Sequence, residues 1–279
     1  MRNKISAGDL FSAESILEVH RLKNGEDGPY LVGLSWLARG ALLLGDNEKA
    51  DRYVDAVRAR CADSLARGVD LEKSSDTRTA LGAAIEVAAQ RMQQSRGRRP
   101  AAEFLRGELA RLRGPVSFRS RLSKRLNLLA LEGSPAPELE IDDFIGDPPP
   151  TLSSLRGKPV LLFLWAEWCA DCKAQAAALA SVKARHAEKG LRVIALTRYY
   201  EDSTDARVRE KARVDSVWKA DYQAVGAIPI VFSTASMEGY GGSSTPTFVF
   251  VDRAGIVRRY TPTRLTEEEF GRTLKELVR

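Results

Sequence analysis

The sequence predicts two domains of different class, an α-helical domain over residues 1–132 and an α/β domain over residues 133–279. Three observations predict this. The chain has 279 residues, beyond the ~100–200 of an ordinary single domain. Residues 1–132 are rich in Ala, Leu, Arg and Glu with few β-branched runs, which is helix composition. Beyond Gly133-Ser134-Pro135-Ala136-Pro137, which breaks any helix, comes the stretch Val160-Leu161-Leu162-Phe163-Leu164-Trp165-Ala166-Glu167-Trp168-Cys169-Ala170-Asp171-Cys172-Lys173. Its apolar run is too short and too unbroken for an amphipathic helix, so it reads as a central strand buried on both faces.

The hydrophobic fraction of 44% is ample for packed cores, and the longest apolar run falls far short of the roughly 20 residues that span a bilayer. The net charge of +6 is unevenly placed: residues 1–132 carry 23 Lys/Arg against 17 Asp/Glu, whereas residues 133–279 carry 20 of each. Three Cys are too few for a disulfide scaffold. Cys61 lies in a helix-like segment and reads as a buried, inert thiol, with a third redox partner as the alternative.

In the N-terminal half one pattern recurs. Gly8-Asp9 precedes Ala13-Glu14, Gly45-Asp46 precedes Ala50-Asp51, and Gly97-Arg98 precedes Ala102-Glu103, each followed by apolar residues. Gly suits a turn between two helices and a small Ala lets helices pack closely. This pattern resembles tetratricopeptide-type (TPR-like) helical hairpins, loosely and with irregular spacing; a generic helical bundle is the alternative. Few residues precede Gly8, fewer than the ~12 a repeat helix needs, which reads as a start inside a hairpin. Met1-Arg2-Asn3-Lys4-Ile5-Ser6 has no apolar signal region. Residues 91–125 carry 11 Lys/Arg against Glu103 and Glu108. With sparse aromatics and no nucleic-acid motif, this reads as a solvated or partner-docking helix face, and no nucleic acid is expected. Leu126 to Glu132 reads as the last helix.

In the second half, Pro148-Pro149-Pro150 is a rigid surface loop. A helix is expected from about Lys173 to Lys189, ended by Gly190, then a strand over residues 191–197. Strand, helix and strand form a βαβ unit with a parallel pair and a right-handed crossover. A charged helix follows from Glu201 to about Gln223, a short strand over residues 229–232, and a Gly/Ser-rich loop from Met237 to Ser244. Thr245-Pro246 opens the next strand, where Pro is tolerated. A hairpin strand over residues 256–260 and a final helix carrying Phe270, Leu274 and Leu277 on one face complete the order.

Cys169 sits where a strand hands over to a helix. Free N–H groups and partial positive charge in a first helical turn both stabilise a thiolate. Cys172, three residues on, is close enough to close a disulfide with it. A stapling disulfide or half a zinc site are the structural alternatives. Zinc needs more ligands, and only Cys61, His20 and His186 remain, without paired spacing, so no metal is expected.

The sequence Trp165-Ala166-Glu167-Trp168-Cys169-x-x-Cys172-Lys173 after an apolar strand, with Thr245-Pro246 further on, resembles the active site of the thioredoxin superfamily. Leu155-Arg156-Gly157-Lys158-Pro159 and Gly133-x-Pro135-Ala136-Pro137 resemble its TlpA/ResA-type branch of thiol–disulfide oxidoreductases. The resemblance implies a thioredoxin-like domain over residues 133–279, with Cys169 as nucleophile and Cys172 as the resolving thiol. It implies a cis Pro246 beside the Cys pair, Thr245 offering backbone groups to a bound peptide, and Trp168 as a substrate-facing wall. Glu167 is a candidate for proton transfer; the alternative is a merely exposed acid. Two departures stand out. Thioredoxin itself carries a buried Asp six residues before the nucleophile, where this chain has Phe163, so Glu167 or Lys173 would have to substitute. Asp171 beside Cys172 disfavours a nearby thiolate, which leans the couple toward a reductant.

The resemblance thus implies a reductase of protein disulfides that needs no cofactor. It implies an exported protein, periplasmic or otherwise extracytoplasmic, re-reduced by a membrane-embedded reductant, while a cytoplasmic location stays open. The helical domain would dock a client or partner. A thiol peroxidase would place Thr three residues before the reactive Cys, where this chain has Ala166. The reading from another class is a non-catalytic adaptor, or a Cu(I) carrier using Cys169 and Cys172.

Overall fold

The computed structural model describes residues 1–277. The chain forms two compact units, Met1–Leu129 and Ala130–Arg279.

The first unit is helical: α1 Arg2–Ser6, α2 Leu10–Asn24, α3 Gly28–Leu43, α4 Asn47–Ala66, α5 Ser75–Arg96, α6 Arg98–Arg111 and α7 Val116–Ala130. The recurring Gly-Asp marks where helices restart. Gly8, Gly45 and Gly97 have φ of 78°, 77° and 90°, a left-handed conformation that Gly adopts at no steric cost. Asp9 and Asp46 then cap α2 and α4, their carboxylates accepting from the backbone N–H of Ser12 and Lys49. Before α6 an Arg replaces the Asp, and Gly97 caps without a side chain. Ala13, Ala50 and Ala102 are buried, as close helix packing requires. Much of the basic run is engaged inside the unit. Arg121 makes a two-pronged contact with the half-buried Glu86, which Arg39 also reaches; Arg91 pairs with Asp51. Arg119 donates to the carbonyls of Leu109 and Leu112, and Arg98 to those of Leu128 and Leu129. These arginines close helix ends and neutralise acids rather than forming one open patch.

The second unit holds β1 Asp143–Ile145, a 3-10 turn over Ser153–Leu155, β2 Val160–Leu164, α8 Ala170–Lys173, α9 Ala176–His186 and β3 Arg192–Thr197. There follow α10 Thr204–Asp221, β4 Ile230–Phe232, α11 Thr234–Gly239, β5 Thr247–Val251, β6 Val257–Thr261 and α12 Glu267–Leu277. In the described residues the strands form one six-stranded sheet in the order β1-β4-β3-β2-β5-β6. β2, β3 and β4 run parallel, β5 and β6 antiparallel to their neighbours, and β1 antiparallel to β4. This is a thioredoxin-like domain, and β2 at its centre is buried along its whole length.

The alternation along β2 explains the unbroken apolar run. Leu161, Phe163 and Trp165 face a core shared with α9, α10 and α12, through Leu179, Val214, Trp218 and Phe270. Val160, Leu162 and Leu164 face the other core, against Leu155, Met237 and Tyr240. Neither face can carry a polar side chain, so the period-two signal of a half-exposed strand is absent.

Three local details differ from the sequence expectation. The helix expected from Lys173 is broken into α8 and α9, with Gln175 between them turned inward to accept from the Leu265 N–H at 2.8 Å. The start of the expected Gly/Ser-rich loop, Met237 to Gly239, is instead the end of α11, whose N-cap Ser233 accepts from Ser236 N–H. β1 is an edge strand of three residues that no hydrophobic pattern announces.

At the end of α9, His186 is buried and neither ring nitrogen has a hydrogen-bond partner. Burial, with Lys189 and Arg185 nearby, lowers its pKa below the ordinary value of about 6.5. The unfolded chain therefore takes up this proton more readily than the folded one. The neutral ring's contribution is present above about pH 6.5 and is lost as pH falls through that value toward the depressed folded pKa. Urea midpoints at pH 7.5 and 5.5 should show a smaller loss of stability on acidification for His186→Leu than for the wild type. Equal losses would mean that His186 takes no part in acid sensitivity.

Candidate active site

The geometry of the Cys pair follows from strand pairing. β2 and β5 are antiparallel with Phe163 opposite Phe248 and Leu164 opposite Thr247. The end of β2 therefore lies beside the start of β5, although the two segments are distant in sequence. The Phe163 and Phe248 rings stack at 5.2 Å and fix this register. Immediately beyond are Cys169 on one segment and Thr245-Pro246 on the other. The Thr245–Pro246 peptide bond is cis. Cys169 Sγ lies 3.5 Å from the Thr245 carbonyl oxygen.

Cys169 is the N-cap of α8, and its sulfur accepts from the Cys172 N–H at 3.1 Å. The same hydrogen bond would be available to a thiolate, and hydrogen bonding to the charged form favours it. Cys169 and Cys172 are joined in a disulfide with Cα atoms 5.2 Å apart. Cys169 is 6% exposed and Cys172 is fully buried, so an incoming group meets Cys169 first.

The surrounding side chains divide into floor and rim. Trp165 is fully buried, and its ring meets those of Trp218 and Tyr222 edge-on at 5.1 and 5.2 Å. It belongs to the core. Trp168, three residues on, is 63% exposed and stands on the rim. Its ring meets Tyr200 edge-on at 5.6 Å. The position where thioredoxin carries an acid is filled by Phe163, enclosed in the aromatic core.

Glu167 is tucked inward rather than exposed. Its side chain is 12% accessible, one carboxylate oxygen lies 3.6 Å from Arg213, and the other is enclosed without a hydrogen-bond partner. Lys173 lies 2.8 Å from Asp221 and is held in that ion pair. Asp171 is exposed and lies 3.4 Å from Arg264, whose charge offsets the field it would impose on Cys172. The lean toward a reductant drawn from Asp171 is correspondingly weaker. Among the described residues, no group of three or more His, Cys, Asp and Glu is gathered as a metal site. No helix among them is long and apolar enough to cross a membrane.

Sequence reasoning missed Tyr200 and the element that carries it. Two adjacent tyrosines one residue beyond a buried strand were the available signal. They point to different neighbours: Tyr199 donates its hydroxyl to Asp143 at 2.6 Å, while Tyr200 packs on Trp168. Burial raises the Tyr200 phenol above its ordinary pKa, the nearby Glu167 and Glu210 carboxylates add to this, and it stays neutral at physiological pH.

Residues 133–260, just under half of the chain, match the model of the AhpC/TSA family. The chain's similar proteins are thiol–disulfide oxidoreductases and thioredoxin-like proteins. The chain is 25% identical over 144 residues to the thioredoxin-like protein YneN of Bacillus subtilis, covering 51% of this chain and 78% of that protein. It is 27% identical over 127 residues to the thiol:disulfide interchange protein DsbE of Pseudomonas fluorescens, covering 45% of this chain and 64% of that one. It is 26% identical over 146 residues to the thiol-disulfide oxidoreductase ResA of Bacillus thuringiensis, covering 52% and 78%. Among solved structures, a thiol:disulfide interchange protein of Chlorobium tepidum matches with a TM-score of 0.43 and 18% identity, over 53% of this chain and 98% of that one.

Cys61 contrasts with the site. It is fully buried on α4, and burial pushes its thiol up to about 11. After reduction of the folded protein at pH 7.5, brief iodoacetamide treatment should label Cys169 and leave Cys61 unmodified until denaturant is added. Labelling of Cys61 at the rate of Cys169 would contradict this difference in access.

Proposed function

We propose that the protein is a thiol–disulfide oxidoreductase that reduces disulfides in protein substrates through the Cys169–Cys172 dithiol. The observation that carries the reading is the outer sulfur of Cys169, set at the start of α8 beside Thr245 and Pro246 and backed by the wholly buried Cys172. In the reduced enzyme the Cys169 thiolate attacks one sulfur of the client disulfide. A mixed disulfide forms and the client's other sulfur leaves as a thiolate. The Cys172 thiolate then attacks Cys169 Sγ, closes the enzyme disulfide and releases the second client thiol. Two electrons pass to the client; the Cys172 proton, passed on through Glu167, and one proton from water complete the client dithiol.

The other residues have roles consistent with their positions. Trp168 forms a wall for the client segment, Thr245 offers backbone groups to it, and Pro246 borders the sulfur. Glu167, with one carboxylate oxygen enclosed and unpartnered, takes the proton from Cys172 in the resolving step. The DsbE and ResA names of similar proteins support the chemistry at the level of class. An extracytoplasmic, periplasmic-type location, with electrons arriving from a membrane-embedded reductant, belongs to the same proposal and follows from the resemblance of the motifs. The helical unit, read as TPR-like hairpins, docks a client or partner. Phe11 and Leu22 on α2, 79% and 72% exposed, would suit such contacts.

The test is trapping. Cys172→Ala cannot resolve the mixed disulfide, so incubation of the reduced variant with an oxidised protein such as insulin should accumulate a covalent adduct through Cys169. Dithiothreitol should release the adduct, and Cys169→Ala should form none. Adducts through Cys61, or none at all with Cys172→Ala, would count against the reading.

A further inference from the structure

We propose that Glu210 on α10 is a positioning residue for protein substrates: its buried carboxylate fixes the loop after β3 so that Tyr200 backs Trp168 at the rim of the Cys169 site. This rests on the disulfide-reductase reading above. Glu210 is 1% exposed although it lies on a helix made largely of charged, solvated residues. Its carboxylate is aimed at the main chain. The Tyr200 N–H donates to Oε1 at 3.0 Å and Oε2 at 3.1 Å, and the Glu201 N–H donates to Oε2 at 3.1 Å.

The loop from Arg198 to Ser203 has left the β3 ladder and has not yet entered α10, so its N–H groups need other acceptors. An ionised carboxylate is the strongest acceptor a side chain can supply. An apolar residue at position 210 would pack but leave these N–H groups stranded. The anchoring sets which way each tyrosine turns. Tyr199 stacks on Phe232 at 4.4 Å, whereas Tyr200 meets Trp168 edge-on, with the Arg198 guanidinium 4.0 Å from its ring centre. Trp168 is mostly exposed and projects from a turn, so Tyr200 is the backing that holds its indole in one place.

A small disulfide needs only the Cys169 sulfur. A folded protein or peptide must also lie along the rim, and it should feel a loose Trp168. The expected effect of Glu210→Gln, which keeps size but not charge, is therefore on recognition. With the full-length protein, KM for insulin disulfides should rise about fivefold, the worth of one aromatic contact. Its kcat, and its rate with hydroxyethyl disulfide, should stay within twofold by the same reasoning. Amide hydrogen exchange at Tyr200 and Glu201 should accelerate in the same variant. Tyr200→Ala should raise KM for insulin by a similar factor, and the double variant should be no worse than the worse single one, because both changes remove one device.

An unchanged KM for insulin in Glu210→Gln would overturn the proposal. So would an equal loss with insulin and hydroxyethyl disulfide, which marks a general structural role, or additive effects in the double variant. A wild-type protein that does not reduce insulin is a separate outcome. It would overturn the reductase reading itself, and the role of Glu210 with it.

Discussion

The antiparallel pairing of β2 with β5 is the constraint on which the site depends. β2 delivers Cys169 and β5 delivers Thr245-Pro246, and only the register that sets Phe163 against Phe248 and Leu164 against Thr247 brings their ends together. That register is protected by packing. A slip of one residue would turn Phe163 and Trp165 out of one core and Leu162 and Leu164 out of the other. The full burial of the strand on both faces thus keeps the Cys169 sulfur beside the Thr245 carbonyl.

Around this fixed pair the charges are arranged so that none dominates. Thioredoxin's buried acid is replaced by Phe163, and the Glu167 carboxylate sits with one oxygen near Arg213 and the other enclosed. Asp171 is offset by Arg264 and Lys173 by Asp221. Two contacts remain directly on the Cys169 sulfur, the Thr245 carbonyl oxygen and the Cys172 N–H, and the second favours a thiolate.

The site was legible where chemistry and local structure coincide in a short stretch. The apolar run, the two Trp, the Cys pair and Thr245-Pro246 each signal themselves, and Gly8-Asp9 and Gly45-Asp46 announce left-handed turns followed by capped helices. What escaped depends on tertiary placement. Glu210 looks like any other charge on a charged helix, and only the fold shows its carboxylate turned onto the loop main chain. β1 is too short for a hydrophobic pattern and exists because β4 offers it an edge. Sequence likewise does not reveal that, within the basic run, Arg119 and Arg98 curl onto helix-end carbonyls, or that Arg121 reaches the half-buried Glu86. The break between α8 and α9 depends likewise on Gln175 finding Leu265, a partner far along the chain.

The direction of electron flow is the central claim, and the reduction potential of the Cys169–Cys172 couple tests it most directly. Equilibration against glutathione with thiol trapping measures it. The reductase reading predicts a value at or below about −220 mV, in the range of thioredoxin and glutaredoxins, as a donor of electrons to protein disulfides requires. A value above about −150 mV would place the couple near the strong oxidants and contradict a reductase, because such a disulfide would be donated rather than accepted.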